Sequence, residues 1–557
     1  MHKGWLLPLI AGTALACNAI LGIDGDVIGP NDAGSAAVDA SPTDDAGSPD
    51  GTASSFAIAP IQGLKVVQGS DVELDVLVTG PGTNVVAIAF TPPAGISIVS
   101  QTDPLELGKP THFKLHADTF APRGVQTLTF RALVKDTVTR DAQVEVTGPF
   151  DETFGDGGIA LLPFKASPST GNAGLVSSDV GIAVTDAGIV VGFSTNDGSG
   201  EKLALARLTQ DGKSDPSFPG FETFLPPGFS DATSAHAHVV TEMADGGLLV
   251  LGEMRPKGTT NNTSSHVGVV WPTDAGFATD SGGPNSALRS ADTLGDAVYA
   301  VGAGSSGSSQ LVRIQGGELD PSFGGASGVE VRGKSQKVTG FDVKVGADRS
   351  IFVVGSTGGL SPSNGSSAAV LRFFEDGGVD TSFGDAGTAR VNDYPAYGFG
   401  GEVLADGGIL VLGARAGALN GSDPTGQVGC VTRFLPSGAI DLSYGGAGSG
   451  RFDWPQPSGA SRFYGASVLD DDSLLLLGAA TSTTVTPPLL ANALVKISAD
   501  GRLVSSFGID GVARVPLSTA SPFRRAVRQG TKRIAVGLFW EPGAPGKLSV
   551  FLVRIDP

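Results

Sequence analysis

Short runs of apolar residues that each end in a glycine recur between residues 189 and 537 of this sequence. The distances between the terminal glycines are 60, 50, 53, 58, 65 and 59 residues. A short apolar run closed by glycine predicts a buried β-strand, and a nearly fixed period of this size indicates a repeat architecture. The runs are 189–192, 248–252, 298–302, 351–355, 409–413, 474–478 and 534–537.

A second motif, Asp-x-Ser-Phe-Gly or a close variant, stands between these runs, and a strand with Arg or Lys near its end precedes most copies. We expect the aromatic ring to pack between neighbouring repeats, the Gly to allow a positive φ, and the Asp to cap the turn through backbone N–H groups. The basic residue is expected to pair with that Asp in a structural role. The motif copies begin at Asp151, Asp215, Asp320, Asp380, Asp441 and Ser505, and the basic residues are Arg207, Arg313, Arg372, Arg433 and Lys496.

This combination of a basic strand, a turn and Asp-x-Ser-Phe-Gly resembles the bacterial delta-60 repeat family. The resemblance covers residues 149–557, nearly three-quarters of the chain. It implies a β-propeller-like array in an exported or surface protein, and it implies no chemistry.

The ends of the repeat region complement each other, because 551–557 is a basic strand without a following motif and 150–158 is a motif without a preceding strand. A ring joined in this way leaves few exposed sheet edges. We therefore predict a seven-bladed β-propeller with N- and C-terminal closure. The third unit retains only Thr279-Asp280-Ser281-Gly282 in place of the aromatic motif, so we expect one degenerate blade that is short of a strand.

Residues 56–148 have a different pattern, in which apolar and polar residues alternate. Val72, Leu74, Val76 and Val78 share one face of a predicted strand. Further alternating segments at 85–90, 113–117, 125–134 and 142–146 predict roughly seven short strands, a number typical of an immunoglobulin-like β-sandwich. The whole chain is thus expected to be all-β.

The composition narrows the possible partners. The chain has 557 residues, 82 of them Gly, and a formal net charge of −19. An acidic surface repels nucleic acid phosphates, so no nucleic acid partner is expected.

The N-terminus predicts an export signal and a lipid anchor. A basic start and an apolar run lead to Ala14-Leu15-Ala16-Cys17, which resembles the bacterial lipoprotein signal although Ala14 stands where Leu is usual. The resemblance implies a signal peptide over 1–16, lipidation of Cys17 and membrane attachment through that lipid. Asn18 in place of Asp points to the outer membrane of the cell envelope; ordinary cleavage near Ala16 is the alternative. Residues 17–55 are rich in Asp, Ala, Ser and Pro and predict a disordered tether.

No candidate for metal, cofactor or catalytic chemistry stands out. His236-Ala237-His238 has a spacing that suits zinc or copper, but no third ligand is near, and His112 and His116 are expected to face solvent. Cys430 is expected to be a buried small hydrophobe, and 470–472 a solvated hairpin turn. The turn aspartates lack the spaced oxygen ligands of a calcium loop, and no nucleophile elbow, phosphate loop or zinc-protease motif occurs.

We therefore expect a non-catalytic binding or scaffolding platform that takes a glycan or protein ligand on the propeller face or in its channel. One alternative is a hydrolase or lyase acting on carbohydrate, with carboxylates converging in the channel; paired Asp or Glu of raised pKa would support it. The other is a purely structural envelope protein.

Overall fold

The chain is all-β within the residues that the structure describes. This structure is a computed structural model, and it describes 56–556 except for 83–86, 102–105, 134–136, 167–179, 197–200, 219–221, 225–231, 244–246, 257–263, 271–276, 283–285, 305–308, 326–327, 333–336, 358–365, 392–395, 417–426, 447, 455–459, 483–488, 516, 518–521 and 541–547. The described residues contain no helix, and those between the strands form turns, bends, isolated bridges or irregular chain. None of the described residues forms a helix with the length and apolar character needed to cross a bilayer.

The first eight strands form two four-stranded sheets, which we call the N-terminal sheets. Their bounds are β1 (Ala57–Ile58), β2 (Leu64–Val67), β3 (Asp71–Thr79), β4 (Ala87–Thr91), β5 (Ile96–Gln101), β6 (Pro110–Ala117), β7 (Gly124–Leu133) and β8 (Thr137–Thr147). The strand orders are β1-β3-β6-β5 and β2-β8-β7-β4. All neighbours are antiparallel except β2 and β8, which are parallel.

The alternating pattern places one face of each N-terminal sheet in a common core. In β3, Leu74, Val76 and Val78 are buried, while Glu73 and Asp75 on the opposite face are exposed. Phe113 of one sheet lies edge-on to Phe130 of the other, with ring centroids 5.7 Å apart. Both rings are almost fully buried, so side chains from the two sheets form a single core.

The remaining strands form five sheets and one larger eight-stranded sheet. The first of the five contains β14 (Ala232–Glu242), β15 (Leu248–Pro256), β16 (Ser264–Val270) and β17 (Phe277–Gly282), in that order. The second contains β18 (Ser286–Leu294), β19 (Ala297–Gly304) and β20 (Ser309–Gln315), and β20 pairs with both β21 (Glu318–Leu319) and β22 (Val329–Glu330). The other three each have four strands in chain order: β23 (Val338–Val345), β24 (Ile351–Thr357), β25 (Ala368–Phe373) and β26 (Thr388–Arg390); β27 (Ala396–Val403), β28 (Ile409–Ala416), β29 (Gln427–Phe434) and β30 (Arg451–Trp454); and β31 (Ser461–Val468), β32 (Leu474–Ser482), β33 (Leu489–Ile497) and β34 (Val512–Ala513).

The eight-stranded sheet joins the beginning and the end of the repeat region. One half contains β10 (Val180–Thr185), β11 (Gly188–Asn196), β12 (Glu201–Leu208) and β13 (Glu222–Phe224), and the other contains β35 (Arg525–Gln529), β36 (Lys532–Trp540), β37 (Leu548–Ile555) and β9 (Ile159–Ala166). β9 pairs antiparallel with β37, so the first strand of the repeats completes a sheet built from the last three. A single residue pair, Thr195 with Ala166, links the two halves.

The expectation of a blade short of a strand is wrong. The segment that contains Thr279-Asp280-Ser281-Gly282 forms β17 and pairs antiparallel with β16 from His266 to Val270. The following sheet is also complete, with β18, β19 and β20 paired along their length. A ladder strand requires backbone N–H and C=O groups rather than particular side chains, so loss of the aromatic motif did not remove the strand.

The N-terminal sheets contact the start of the repeats through residues near Phe150. The side-chain amide of Gln68 donates to the carbonyl of Ala121 at 2.9 Å, and its oxygen accepts the N–H of Phe150 at 3.2 Å. The ring of Phe120 packs against that of Phe150, with centroids 5.2 Å apart. Arg123 pairs with Glu152 at 3.1 Å and with Asp556 at 3.3 Å, so it contacts both ends of the repeat region.

Candidate functional site

The Asp-x-Ser motif forms a repeated turn held by one arginine. In the copy at Asp215, Oδ1 accepts the backbone N–H and the hydroxyl of Ser217, both at 2.8 Å, and Oδ2 accepts Nε of Arg207 at 2.7 Å. The Arg207 guanidinium lies over the ring of Phe218, 4.9 Å from its centroid. The hydrogen bonds from Ser217, with the Arg207 charge, hold the pKa of Asp215 below its usual range. Every residue type of the motif therefore has a structural partner within it.

The aromatic residue of the motif packs against the next sheet, as the sequence predicts. A Cβ on Gly377, in the turn after β25, would lie 3.0 Å from the ring of Phe323, which belongs to the preceding sheet. Tyr444 has the same relation to Gly501, at 2.8 Å. Phe323 and Tyr444 are almost fully buried, so these rings fill the space between adjacent sheets.

The two ends of the repeat region share one such motif. Nε of Arg554, near the end of β37, donates to Oδ2 of Asp151 at 2.8 Å, and the N–H of Thr153 donates to Oδ1 at 3.0 Å. The Arg554 guanidinium lies 5.0 Å from the centroid of the Phe154 ring. Asp151 is buried, and Lys532 also pairs with it at 2.5 Å. Although burial opposes ionisation, the bonds from Lys532 and Thr153 hold the pKa of Asp151 well below its usual range.

A β-bulge interrupts most of the strands that open these sheets. The register shifts by one residue in β14, β18, β23, β27 and β31, and in each case the residue before the shift pairs with one of the periodic glycines. A bulge leaves one residue out of the ladder and redirects its side chain. The residues at the bulges are His238, Arg289, Phe341, Phe399 and Tyr464.

The periodic glycine is needed because the bulged strand comes so close. A Cβ on Gly413 would lie 1.7 Å from the carbonyl oxygen of Tyr397, and one on Gly355 would lie 2.1 Å from that of Thr339. Any side chain at these positions would push the bulged strand away. The periodic glycines therefore allow the close approach of the bulged strand and so fix the position of the bulge residues.

One cavity of about 240 Å³ lies where the bulged strands meet. Residues of β10, β14, β18, β23, β27, β31 and β35 all line it, so the five smaller sheets and both halves of the eight-stranded sheet contribute. Four of the bulge residues are among them: Arg289, Phe341, Phe399 and Tyr464.

An ion-pair network occupies one side of the cavity. Nζ of Lys344, on β23, lies 3.3 Å from Oε1 of Glu402 on β27 and 3.9 Å from Oδ2 of Asp342. Burial by itself would lower the pKa of Lys344, but the carboxylates of Glu402, Asp342 and Asp292 outweigh it and raise that pKa. Burial also raises the pKa of Glu402 to about 7, with Lys344 opposing the effect.

The carboxylates of this network are held by backbone and hydroxyl groups. Oδ2 of Asp342 accepts the N–H of Gly401 at 2.9 Å, and Oδ1 accepts the hydroxyl of Ser290. Asp292 accepts the N–H of Val345 at 2.8 Å, and burial raises its pKa. These bonds join β18, β23 and β27 and fix the charges in place.

Arginines and aromatic rings line another part of the cavity. Nη2 of Arg525, at the start of β35, donates to the carbonyl of Arg289 at 2.6 Å. The guanidinium of the adjacent Arg524 lies 4.5 Å from the centroid of the Tyr464 ring. Phe399 packs against Tyr464 at 5.7 Å and against Phe341 at 6.0 Å, so the three rings form a continuous surface.

The other predicted positions lie away from this cavity or outside the described residues. His238 is buried at a β-bulge. The bulge interrupts the alternation of side chains that would place His236 and His238 on the same face of the strand. The side chains of His236 and His266 lie outside the described part of the chain. His116 contacts Asp71 at 2.7 Å and His112 contacts Asp75, both pairs near solvent. Cys430 is buried, as predicted, and burial raises the pKa of its thiol to about 12. Cys17 and the segments predicted to be a signal peptide and a tether lie outside the described residues.

The sequence analysis did not identify Asp292, Asp342, Lys344, Glu402 or the three arginines. A signal for them exists, because they and the bulge residues stand at nearly constant distances ahead of the periodic glycines. The residue type at those positions varies from repeat to repeat, so they do not form a motif.

A family described as a domain of unknown function (DUF5122) β-propeller matches residues 189–218, which span β11, β12 and the Asp215 motif. The region is a β-propeller repeat. No curated protein sequence matches the chain.

Several solved structures resemble this β-propeller repeat protein weakly. A sialidase of Trypanosoma rangeli is 10% identical, with a TM-score of 0.33 over 71% of this chain and 59% of that chain. A polysaccharide lyase described as a PL25 ulvan lyase is 11% identical, with a TM-score of 0.33 over 78% of this chain and 90% of its own. A gluconolactonase from Xanthomonas campestris is 14% identical, with a TM-score of 0.30 over 67% of this chain and 85% of its own. Similarity at this level carries no information about activity.

Proposed function

We propose that this protein is a binding module that holds a small ligand in the cavity between the repeat sheets and does not catalyse a reaction. The supporting observation is that a strand from each of the five smaller sheets and from each half of the eight-stranded sheet lines this cavity. A concave site with a few fixed polar groups among aromatic faces is the common form of a small-molecule site.

The architecture that we propose for this module is a closed seven-bladed propeller over 149–557. Each of β10, β14, β18, β23, β27, β31 and β35 would open one blade, and β9 would complete the last blade by its pairing with β37. We propose that the N-terminal sheets are an immunoglobulin-like sandwich over 56–148, since their strands share one core.

We also propose that the module is carried by an outer-membrane lipoprotein, with a signal peptide at 1–16, a lipid on Cys17 and a tether over 17–55. Support comes from the sequence alone. Expression in a Gram-negative host with a radiolabelled fatty acid tests the anchor: label is expected on the wild type and absent from Cys17→Ala. Equal labelling of both would disprove lipidation at Cys17.

Binding is favoured over catalysis because the carboxylates beside the cavity already have partners. Both oxygens of Asp342 accept hydrogen bonds from protein groups, and Glu402 is paired with Lys344. A carboxylate nucleophile or base needs an oxygen directed at the reacting atom. A network fixed by three strands is better suited to holding a ligand in one orientation.

An array of glycans and small metabolites, probed with residues 56–557, tests the binding proposal. A ligand bound by the wild type should bind Tyr464→Ala about fivefold more weakly, because a stacked ring contributes about 1 kcal/mol. Leu442→Ala removes an apolar side chain that is 63% exposed and lies outside the cavity lining, so it serves as the matched control. Absence of any ligand would favour a purely structural envelope protein.

One observation favours a second candidate, a carbohydrate hydrolase or lyase. Glu402 lines the cavity with its pKa raised to about 7, so it could donate or accept a proton at neutral pH. Turnover of an oligosaccharide by the wild type, abolished in Glu402→Gln while the fold is retained, would establish this candidate. If the array ligand is recovered unchanged after prolonged incubation, the non-catalytic proposal stands.

A further inference from the structure

The cavity has a charge balance opposite to that of the whole chain. The sequence contains 37 Lys and Arg against 56 Asp and Glu. Among the described residues that line the cavity, by contrast, four are cationic and two are acidic: Arg289, Lys344, Arg524 and Arg525 against Asp342 and Glu402. Cations concentrated in a cavity of an acidic protein favour an anion there.

Arg525 is a cavity-lining cation that has no carboxylate partner among the described residues. Its Nη2 atom donates to the carbonyl of Arg289, while Nε has no hydrogen-bond partner among the described residues. No described carboxylate lies within 4.0 Å of its guanidinium, and Asp342 acts on it only from a greater distance. Arginine remains charged in proteins, and a desolvated charge without a partner is costly. A carboxylate ligand would complete its bonding, because a guanidinium accepts such a group at two N–H positions.

The surroundings of Arg525 suit a ring that carries hydroxyl groups. The Phe341, Phe399 and Tyr464 rings form an apolar surface on which a sugar ring can lie. Asp342 and Glu402 line the cavity, and because each carboxylate oxygen has two lone pairs, these groups can accept a further hydrogen bond from a ligand hydroxyl in addition to their protein partners. The cavity volume of about 240 Å³ lies below the range for drug-sized ligands and suits a single ring.

We propose that the ligand is a sugar acid, a single pyranose ring with one carboxylate, which binds Arg525 through that carboxylate and stacks on the aromatic surface. This inference rests on the proposed function, because it names the ligand class of the same cavity. It assigns the carboxylate to the Arg525 side and the hydroxyl groups to the Asp342 and Glu402 side.

Calorimetric titration of the full chain with glucuronate, galacturonate, glucose, acetate and sulfate tests the proposal. At least one sugar acid is expected to bind about tenfold or more tightly than glucose, because a hydrogen bond to a charged group contributes more than a neutral one. Acetate and sulfate lack the ring and are expected to bind about tenfold or more weakly than that sugar acid. Affinity for the sugar acid should also fall as salt rises.

Two arginine variants on β35 provide the matched comparison. Arg525→Met should weaken sugar-acid binding about tenfold or more and leave the weak binding of glucose unchanged, whereas Arg525→Lys should restore part of the loss. Arg528→Met removes an arginine whose side chain is 64% exposed and should change neither. Thermal unfolding of each variant shows whether the fold is retained.

The outcomes separate this inference from the proposed function. If glucose binds as tightly as the sugar acids, or Arg525→Met leaves their affinity unchanged, the sugar-acid assignment is overturned. It also falls if acetate or sulfate binds as tightly as the sugar acid, since the site would then recognise a simple anion. If a neutral ligand from the array binds and Tyr464→Ala weakens its binding, the proposed function stands and the sugar-acid assignment does not. If neither a sugar acid nor any array ligand binds, both fall.

Discussion

At the scale of single residues, the periodic glycine determines whether the cavity can form. Five of the seven periodic glycines lie opposite a bulge, and the bulge directs a side chain out of the ladder. The close approach at Gly413 leaves no room for even one methyl group. The glycine period that reveals the repeats in the sequence is therefore also a constraint on the site.

Gly413→Ala should lower the free energy of unfolding by about 3 kcal/mol, because its Cβ would overlap the carbonyl of Tyr397 and force the bulged strand to move. Gly446→Ala is the control, since nothing lies within 4 Å of a Cβ at that position. Urea unfolding of both variants measures the difference. Equal stability of the two variants would show that the bulged strand yields without cost.

At the scale of elements, the Arg–Asp–Ser turn is the contact that recurs in most of the repeats. The copy in β33 shows which part is dispensable, because Val504 occupies the Asp position and Lys496 the Arg position. The backbone bond from Val504 to Lys496 is kept at 2.9 Å, compared with 3.0 Å from Asp441 to Arg433. The backbone path therefore persists without the carboxylate, whose contribution is to hold the turn and its arginine.

Asp441→Asn should reduce the free energy of unfolding by about 1 kcal/mol at pH 7, because Asp441 accepts the N–H of Ser443 at 3.0 Å and pairs with Arg433 at 3.2 Å. The bonds from Ser443 lower the pKa of Asp441 despite burial. A lowered pKa in the folded state gives stability that is full above the unfolded-state value of about 4 and is lost as the pH falls through the lowered value.

Unfolding measured from pH 7 to pH 2 should therefore show the gap between wild type and Asp441→Asn closing below about pH 4. Asp118→Asn changes an exposed aspartate outside the motif and is expected to match the wild type throughout. A gap that stays constant down to pH 2 would contradict a stabilising role for the ionised carboxylate.

At the scale of the whole molecule, the repeat region is joined where its two ends meet. β9 pairs with β37, the N–H of Asp151 donates to the carbonyl of Arg554 at 3.0 Å, and Arg554 reaches the buried Asp151 carboxylate. Arg123 of the N-terminal sheets contacts Glu152 and Asp556 at the same place. Both ends are thus held by contacts that are distant in sequence.

Arg554→Met should destabilise the protein more than Arg207→Met, by about 2 kcal/mol, although both arginines serve the same motif. Asp151 is more deeply buried than Asp215, so loss of a cationic partner costs more there, with Lys532 left as its remaining ion-pair partner. Arg554 also donates to the carbonyl of Gln210 at 3.0 Å, and that bond is lost as well. Limited proteolysis should also cut near residue 556 sooner in Arg554→Met. If both variants lose the same free energy of unfolding and the proteolysis of Arg554→Met is unchanged, the Arg554–Asp151 pair contributes no more to stability than the Arg207–Asp215 pair.

Much of the architecture could be predicted from the sequence because it depends on local patterns. The all-β class, the propeller repeat and the alternating core face of β3 follow from periodicity. The complementary motif halves at Asp151 and Arg554 are the residues that pair. The error over β17 arose because the sequence analysis treated a side-chain motif as necessary for a strand that only backbone pairing requires.

The sequence by itself determined the strands, the turns and the order of the repeats, since apolar periodicity, glycine turns and the Asp-x-Ser motif act over short distances. Only the tertiary structure decided the site. Asp292, Lys344, Glu402 and Arg525 come from four strands separated by as many as 233 positions along the chain, and their residue types do not form a motif. They come together because the strands that open the sheets, most of them bulged, meet around a common cavity, where burial and the neighbouring charges then set their chemistry.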